Sequence, residues 1–376
     1  SYASRGVPTD IRFSGTGVST GDAAKWLRAG GEDCATPADD ALGGEQLLSG
    51  ARATFAFEQL APGLVLCYAF AGEPYRLYAN LTLDVLGLGE PPIGAPALDG
   101  AGDVALRAVA GVAARLQLNG VGLSVADSAK WVRADAANCA AAADVALGGE
   151  QRPLAADMAM LFAMQAGARG LRLCYRLRTE PFALYSAWVA DALAVSSPVR
   201  TIALAGFAQR VTFAGVGVRA GDRARWVRAG AAGCAESAAA EAVVSEGGVA
   251  IFTFATPALG MALCYRFGNE SDAPFAPFGA VRADALGVTS PSRPSAAVVG
   301  AAEVLALDGV GLEASDLAFW AARGADCATA SADGAYGGLL NVSASLSIAF
   351  TIQLPAPAGL VLCLSLIHIS EPTRLG

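Results

Sequence analysis

Apolar and polar positions along this chain alternate with period two, and the 3.6-residue period of an amphipathic helix is weak. In "IRFSGTGV" (11–18), "ATFAFE" (53–58), "RVTFAGVGV" (210–218) and "AIFTFA" (250–255), apolar residues alternate with small or polar ones between Gly, Asp and Pro. Short strands with turn signals every 8–12 residues predict β-sandwiches. The alternation also assigns faces. Leu171, Leu173, Tyr175 and Leu177 share one side of a strand whose other side carries Arg172, Cys174 and Arg176. Met261, Leu263, Tyr265 and Phe267 stand likewise opposite Ala262, Cys264 and Arg266. The cysteines are therefore expected on the wetter face, bridged so as to pin a loop to the sheet and not through the core.

The same order of landmarks occurs four times. Trp26, Trp131, Trp226 and Trp320 are spaced by 105, 95 and 94 residues. Asp22, Asp127, Asp222 and Asp316 each stand four residues before their Trp. A first Cys follows the Trp by seven or eight residues, then come a Gly pair, an alternating segment and a second Cys in "GLVLCYAF", "GLRLCYRL", "GMALCYRF" and "GLVLC". A period near 95 residues is that of whole domains, not of a solenoid. The divisions expected are 1–92, 93–198, 199–294 and a truncated 295–363, joined by Pro-bearing segments at 89–96, 196–200 and 289–295 that favour a semi-rigid row. Residues 364–376 match nothing in the repeat and hold the only histidine, His368. "LSLIHISEPTR" resembles the translation of a sequencing-library adapter, so this tail is read as non-native.

Eight cysteines, two per repeat, predict the intra-repeat disulfides Cys34–Cys67, Cys139–Cys174, Cys234–Cys264 and Cys327–Cys363. Each closes a loop whose constraint is worth roughly 3.7 kcal/mol in the chain-entropy model. A reduced metal site is the rival reading, disfavoured because no repeat has a CxxC pair or a histidine partner. Sequons at Asn80, Asn269 and Asn341 agree with an oxidising destination, and the Ser/Pro clusters suit O-linked sugar.

At 376 residues the chain is long enough for four domains with their own cores. Charged residues make up 16 % of it and the net charge is −8, which argues against nucleic acid or anionic membrane as partners. Residues 335–370 carry no Asp, Glu, Lys or Arg, yet Asn341, Gln353, Pro355 and Pro357 interrupt them, so no membrane span is expected. Without a histidine outside the tail, Ser-His-Asp, Cys-His and His-zinc chemistries lose their central member. No phosphate loop or catalytic carboxylate pair stands out, and neither an enzyme nor a cofactor is expected. Acidic residues before the Gly pair, Asp39, Asp40, Asp144, Glu236, Glu241 and Asp333, drift in number and spacing and form no defined calcium loop.

The basic, Trp-bearing stretch "GDRARWVRAGAAGC" (221–234) has the look of an anion or sugar site, with carboxylate and indole on one ledge. Its fourfold presence favours a scaffold role: the Asp caps a turn and the Trp packs on the sheet. Arg28, Arg133 and Arg228, two residues after their Trp, are expected to stack on the indole.

Laid out as GD, then [AK/RW]-V-R, C, GG and LCYR, the chain resembles the tandem immunoglobulin-like repeats of large secreted algal and protist proteins, including those of flagellar hairs (mastigonemes). It departs from antibody-type domains in that each Trp precedes both cysteines. The resemblance implies an all-β tandem array of four immunoglobulin-like sandwiches with one intradomain disulfide each. It also implies an extracellular, glycosylated structural filament or cell-surface rod, partnered by copies of itself or by other filament or cell-wall glycoproteins. The alternative expectation is a glycan-binding adhesion or sensory receptor ectodomain.

Overall fold

The computed structural model describes residues 1–30, 33–92, 95–96, 103–268, 274–291, 296–327, 329–356 and 358–365. In the second repeat one sheet has the order Leu106–Val109, Ala183–Ser197, Ala168–Arg176, Ser128–Val132, Glu150–Gln151. Its first two strands are parallel and the remaining pairings antiparallel. A second layer pairs Ala113–Gln117 with Ala159–Ala163. Side chains from both layers, among them Leu116, Trp131, Phe162, Leu171, Leu173 and Tyr175, form one buried cluster, as period-two alternation requires of two stacked sheets.

The first repeat is built the same way from Tyr2–Ser4, Arg76–Leu88, Ala61–Ala69, Ala23–Leu27 and Glu45–Leu47 in one sheet, and Thr9–Arg12 with Arg52–Phe55 in the other. The third uses Arg200–Leu204, Ala276–Pro291, Ala258–Arg266, Arg223–Val227 and Ala240–Val243, with Ala208–Thr212 on Val249–Thr253. In the fourth, Leu317–Ala322 lies between Leu340–Asn341 and Leu360–Ser365, and Ala302–Val310 pairs with Ser347–Thr351. Leu364 and Ser365, the first residues of the segment set apart in the sequence, prolong that last strand opposite Ala318 and Leu317. His368 and the rest of the tail lie outside the described residues.

The chain is thus all-β, a tandem array of four immunoglobulin-like sandwiches with one disulfide in each: Cys34–Cys67, Cys139–Cys174, Cys234–Cys264 and Cys327–Cys363. It divides into two compact units, Ser1–Ala194 and Val195–Gly376, of two repeats each. The bridges of the first three repeats sit in small clusters separate from the sandwich cores, the first with Leu27, Val65 and Tyr75, the second with Val132, Phe182 and Leu184. They pin a loop to the outer face of the sheet. That face is not wet, however: Cys67 and Cys174 are fully buried, because the loop carrying the first Cys folds over them beside Tyr75 and Phe182.

Two glycine positions shape the strands. The strand bearing the second Cys breaks register around Gly63, Gly170 and Gly260, where φ is +66°, +61° and +63°, a conformation cheap only for glycine. Their N–H groups donate to Asp84, Asp191 and Asp284 on the neighbouring long strand at 2.7, 2.9 and 2.7 Å.

The long strand also joins one repeat to the next. In the first unit, Gly87 and Leu88 pair antiparallel with Val121 and Gly120 of the second repeat, and Leu86 and Leu88 belong to the second repeat's core cluster. Trp188 Nε1 donates to the Gly89 carbonyl at 3.0 Å, and the Gly89 N–H to the Asn119 carbonyl at 2.9 Å. In the second unit, Gly287 and Val288 pair with Val310 and Gly309 in the same manner. A Cβ on Gly120 would overlap the Gly87 carbonyl oxygen, and one on Gly309 the Gly287 carbonyl oxygen. Gly120→Val is therefore expected to destabilise the first unit by about 3 kcal/mol, read as a fall in its urea midpoint; an unchanged midpoint would mean that the two repeats are not joined by this crossing.

Candidate functional site

The fourfold Asp-x3-Trp motif is the obvious candidate. Asp22, Asp127 and Asp222 precede the strands Ala23–Leu27, Ser128–Val132 and Arg223–Val227, and all three are buried. Asp127 Oδ2 accepts from the Ser124 N–H at 2.8 Å and the Tyr175 hydroxyl at 2.7 Å, while Oδ1 accepts from the Arg178 N–H at 2.8 Å. Asp222 receives the Arg219 N–H, the Tyr265 hydroxyl and the Gly268 N–H at 2.9, 2.8 and 2.7 Å. Asp22 receives the Ser19 N–H, the Tyr68 hydroxyl and the Ala71 N–H at 2.8, 2.5 and 2.9 Å. Each carboxylate thus ties its own turn to the Cys-bearing strand and to the loop that leaves it. In the fourth repeat Asp316 keeps the bond from the Glu313 N–H at 2.9 Å, but Leu364 stands where the others have Tyr.

The electrostatics follow from this geometry. The Tyr68 hydroxyl, assisted by the Ser19 and Ala71 N–H groups and opposed by burial, holds the Asp22 carboxyl below the usual carboxylate range. Burial, then the facing Asp, pushes the hydroxyls of Tyr68 and Tyr175 well above the ordinary tyrosine value; for Tyr265 the causes are the same.

The indoles face inward. Trp26, Trp131 and Trp226 are at most 4 % exposed and meet Phe55, Phe162 and Phe252 edge-to-face with ring centroids 6.3, 5.6 and 6.0 Å apart. The arginines expected to stack on them do not. The strands end at Leu27, Val132 and Val227, so Arg28, Arg133 and Arg228 lie past the alternation and reach instead to Gln59 (2.9 Å), Asp144 (3.9 Å) and Thr256 (3.3 Å). The cation of the motif that matters is the residue before the Trp. Lys25 and Lys130 are buried on the outer face, 4.4 and 4.5 Å from the ring centroids of Tyr75 and Phe182. They donate to the carbonyls of Thr36 and Ala141 in the Cys loop. Arg225 does the same with Phe275, at 3.8 Å, and the Cys234 carbonyl. The charge that suggested anion binding is thus satisfied within the repeat.

The acidic residues weighed for calcium also serve locally. Asp39, Asp144 and Asp333 each accept from the N–H two residues on, at 2.9, 2.9 and 2.8 Å, and cap a turn. Asp40 accepts the Gly43 N–H at its backbone carbonyl, at 3.1 Å. Glu236 accepts from the Ala232 N–H, and Glu241 pairs with Arg223 at 3.3 Å. Among the described residues no group of three His, Cys, Asp or Glu is placed to hold a metal ion, and no helix is long and apolar enough to cross a membrane. Asn80 and Asn341 are exposed on strands; Asn269 lies outside the described residues.

Three features escaped the sequence reading. A Gly-x-Gly stands seven and five residues before every Asp of the motif: Gly15 and Gly17, Gly120 and Gly122, Gly215 and Gly217, Gly309 and Gly311. A Leu-[Gly/Ala]-[Leu/Val] triplet recurs at the end of each long strand, at 86–88, 193–195 and 286–288. Their fixed spacing was the available signal. The third feature is a cleft of about 520 Å³ in the first repeat, lined among others by Phe13, Trp26, Tyr68, Phe70, Tyr78 and Leu81.

No protein-family model and no curated protein matches the chain. Among solved structures, extracellular domains 3–5 of Drosophila OTK align with 10 % identity over 76 % of this chain and 93 % of that one, at a TM-score of 0.18. The N-terminal four Ig domains of Dscam1 isoform 4.44 align with 11 % identity over 94 % and 96 %, at 0.17. The D1–D4 ectodomain fragment of ICAM-5 aligns with 10 % identity over 97 % and 96 %, at 0.17.

Because a carboxylate only accepts and Asp127 faces three donors, Asp127→Asn should turn an amide N–H toward a donor and cost about 2 kcal/mol in urea unfolding. The tyrosines give a pH signature. Their folded pKa lies above the unfolded value of about 10, so the stability they contribute is complete below pH ~10 and falls as pH rises beyond it. Tyr175→Phe should flatten that alkaline decline, as read from urea midpoints between pH 8 and 11.

Proposed function

We propose that the chain is a segment of an extracellular, glycosylated rod or filament whose work is mechanical support and assembly, and that it is not an enzyme. The observation that carries this reading is the junction, where the end of one repeat's long strand is a strand and a core element of the following repeat. A joint of that kind resists bending and pulling more than a free linker does. Four disulfides using all eight cysteines support an oxidising destination. The exposed sequons at Asn80 and Asn341 supply glycan positions, and the titratable groups of the repeated motif are satisfied internally. Its partners are copies of itself or other filament glycoproteins, as in the flagellar-hair proteins it resembles. We read residues 364–376 as foreign to the repeat, in keeping with Leu364 at the tyrosine position.

One observation favours a second reading, a glycan-binding adhesion or sensory receptor ectodomain: the cleft of the first repeat, where the exposed ring of Tyr78 offers a face on which a sugar can stack. Non-reduced peptide mass spectrometry of surface filaments, membranes and medium from the source cells separates the two. The rod reading expects Cys139–Cys174 peptides concentrated in filaments, with sugar on Asn80. Confinement of the peptides to the membrane fraction would overturn it in favour of the receptor.

A further inference from the structure

The socket that receives a long-strand end in the second repeat has a counterpart in the first. There, Leu86 and Leu88 lie in one cluster with Leu118, Val121, Leu123, Trp131, Tyr175 and Tyr185. Strand register aligns the repeats: Trp26 pairs with Leu66 and Leu66 with Tyr78, as Trp131 pairs with Leu173 and Leu173 with Tyr185. The six socket residues then correspond to Phe13, Thr16, Val18, Trp26, Tyr68 and Tyr78, all of which line the 520 Å³ cleft.

Exposure separates the two copies. Tyr185 and Trp188 are 9 % and 1 % exposed beneath the incoming strand end, whereas their counterparts Tyr78 and Leu81 are 36 % and 50 % exposed. The glycines repeat as well. Gly17 has φ of +85°, as Gly122 has +72°. Among the described residues, a Cβ on Gly15 would meet only Val18 Cγ2 at 3.5 Å, an ordinary contact, whereas one on Gly120 would overlap the docked carbonyl of Gly87. Nothing among the described residues of the first repeat requires glycine at position 15, but a docked strand would.

We propose that the cleft of the first repeat binds the long-strand end of a further sandwich of this same kind, an extended Leu-Gly-Leu segment paired antiparallel along Gly15–Thr16 with its two leucines in the cleft. Main-chain hydrogen bonds supply the pairing and the aromatic floor reads the leucines. The inference does not depend on where the protein resides: a chain that docks such a strand but is missing from surface filaments would lose the rod reading and keep this one.

The test adds a peptide of residues 81–90, LTLDVLGLGE, to the full chain and follows hydrogen exchange. Saturable protection of the backbone at 14–18 is expected. Gly15→Val in the chain should weaken binding at least about tenfold and leave the melting temperature unchanged. Gly87→Val in the peptide should weaken it as much, since a Cβ there comes within 2.6 Å of the tyrosine hydroxyl in the occupied socket. If Gly15→Val lowers the melting temperature, the peptide substitution alone decides. No protection, equal binding of the Gly87→Val peptide, or protection by an N-acetylglucosamine oligomer and not by the peptide would each overturn the proposal.

Discussion

A buried carboxylate among several donors is the interaction on which each of the first three repeats depends. Asp22, Asp127 and Asp222 each hold the turn ahead of the Trp strand, the tyrosine of the Cys strand and a backbone N–H of the loop beyond it. Burying an unpaired charge would be prohibitive, while a carboxylate whose lone pairs are met by neutral donors is stable and highly directional. That directionality sets the Trp strand against the Cys strand, and with it the position of every inward side chain on both. The tyrosine serves twice: its ring fills the core and its hydroxyl reaches the carboxylate.

With register fixed from the inside, the outer face of the same two strands is left to the disulfide. The bridge closes a loop over a basic side chain that rests on an aromatic ring and donates to a loop carbonyl. In antibody-type domains the cystine lies between the sheets beside the tryptophan. Here the tryptophan meets a phenylalanine of the opposite layer in that place, and the cystine braces the sheet from outside. In the fourth repeat, where Phe319 takes the basic position and Leu364 the tyrosine's, Trp320 is only half-buried.

Much of this was legible in the sequence because it is local. Period-two alternation assigned Leu171, Leu173 and Tyr175 inward and Cys174 outward, and the even cysteine spacing gave the bridges. The Asp as a turn cap was readable from its place after Gly in "TGD" and "AGD". The partners of that Asp were not, since Tyr175 lies 48 residues away and only the folded sheet brings it near. The arginine stacking failed for a related reason: alternation was extended past Val132, where the strand ends. Gly15 and Gly120 carry no local pattern that explains them, because the atom that forbids a side chain at position 120 belongs to another repeat.

The long strand is where the single repeat stops being the unit of folding. Its middle pairs within its own sheet, Asp84 on it caps the Gly63 bulge, and its last residues enter the next core. Burial of Leu86 and Leu88 contributes about 1.5–3 kcal/mol each, and that stabilisation belongs to the pair of repeats and to neither alone. The division of the chain into units of two repeats agrees with the same sharing.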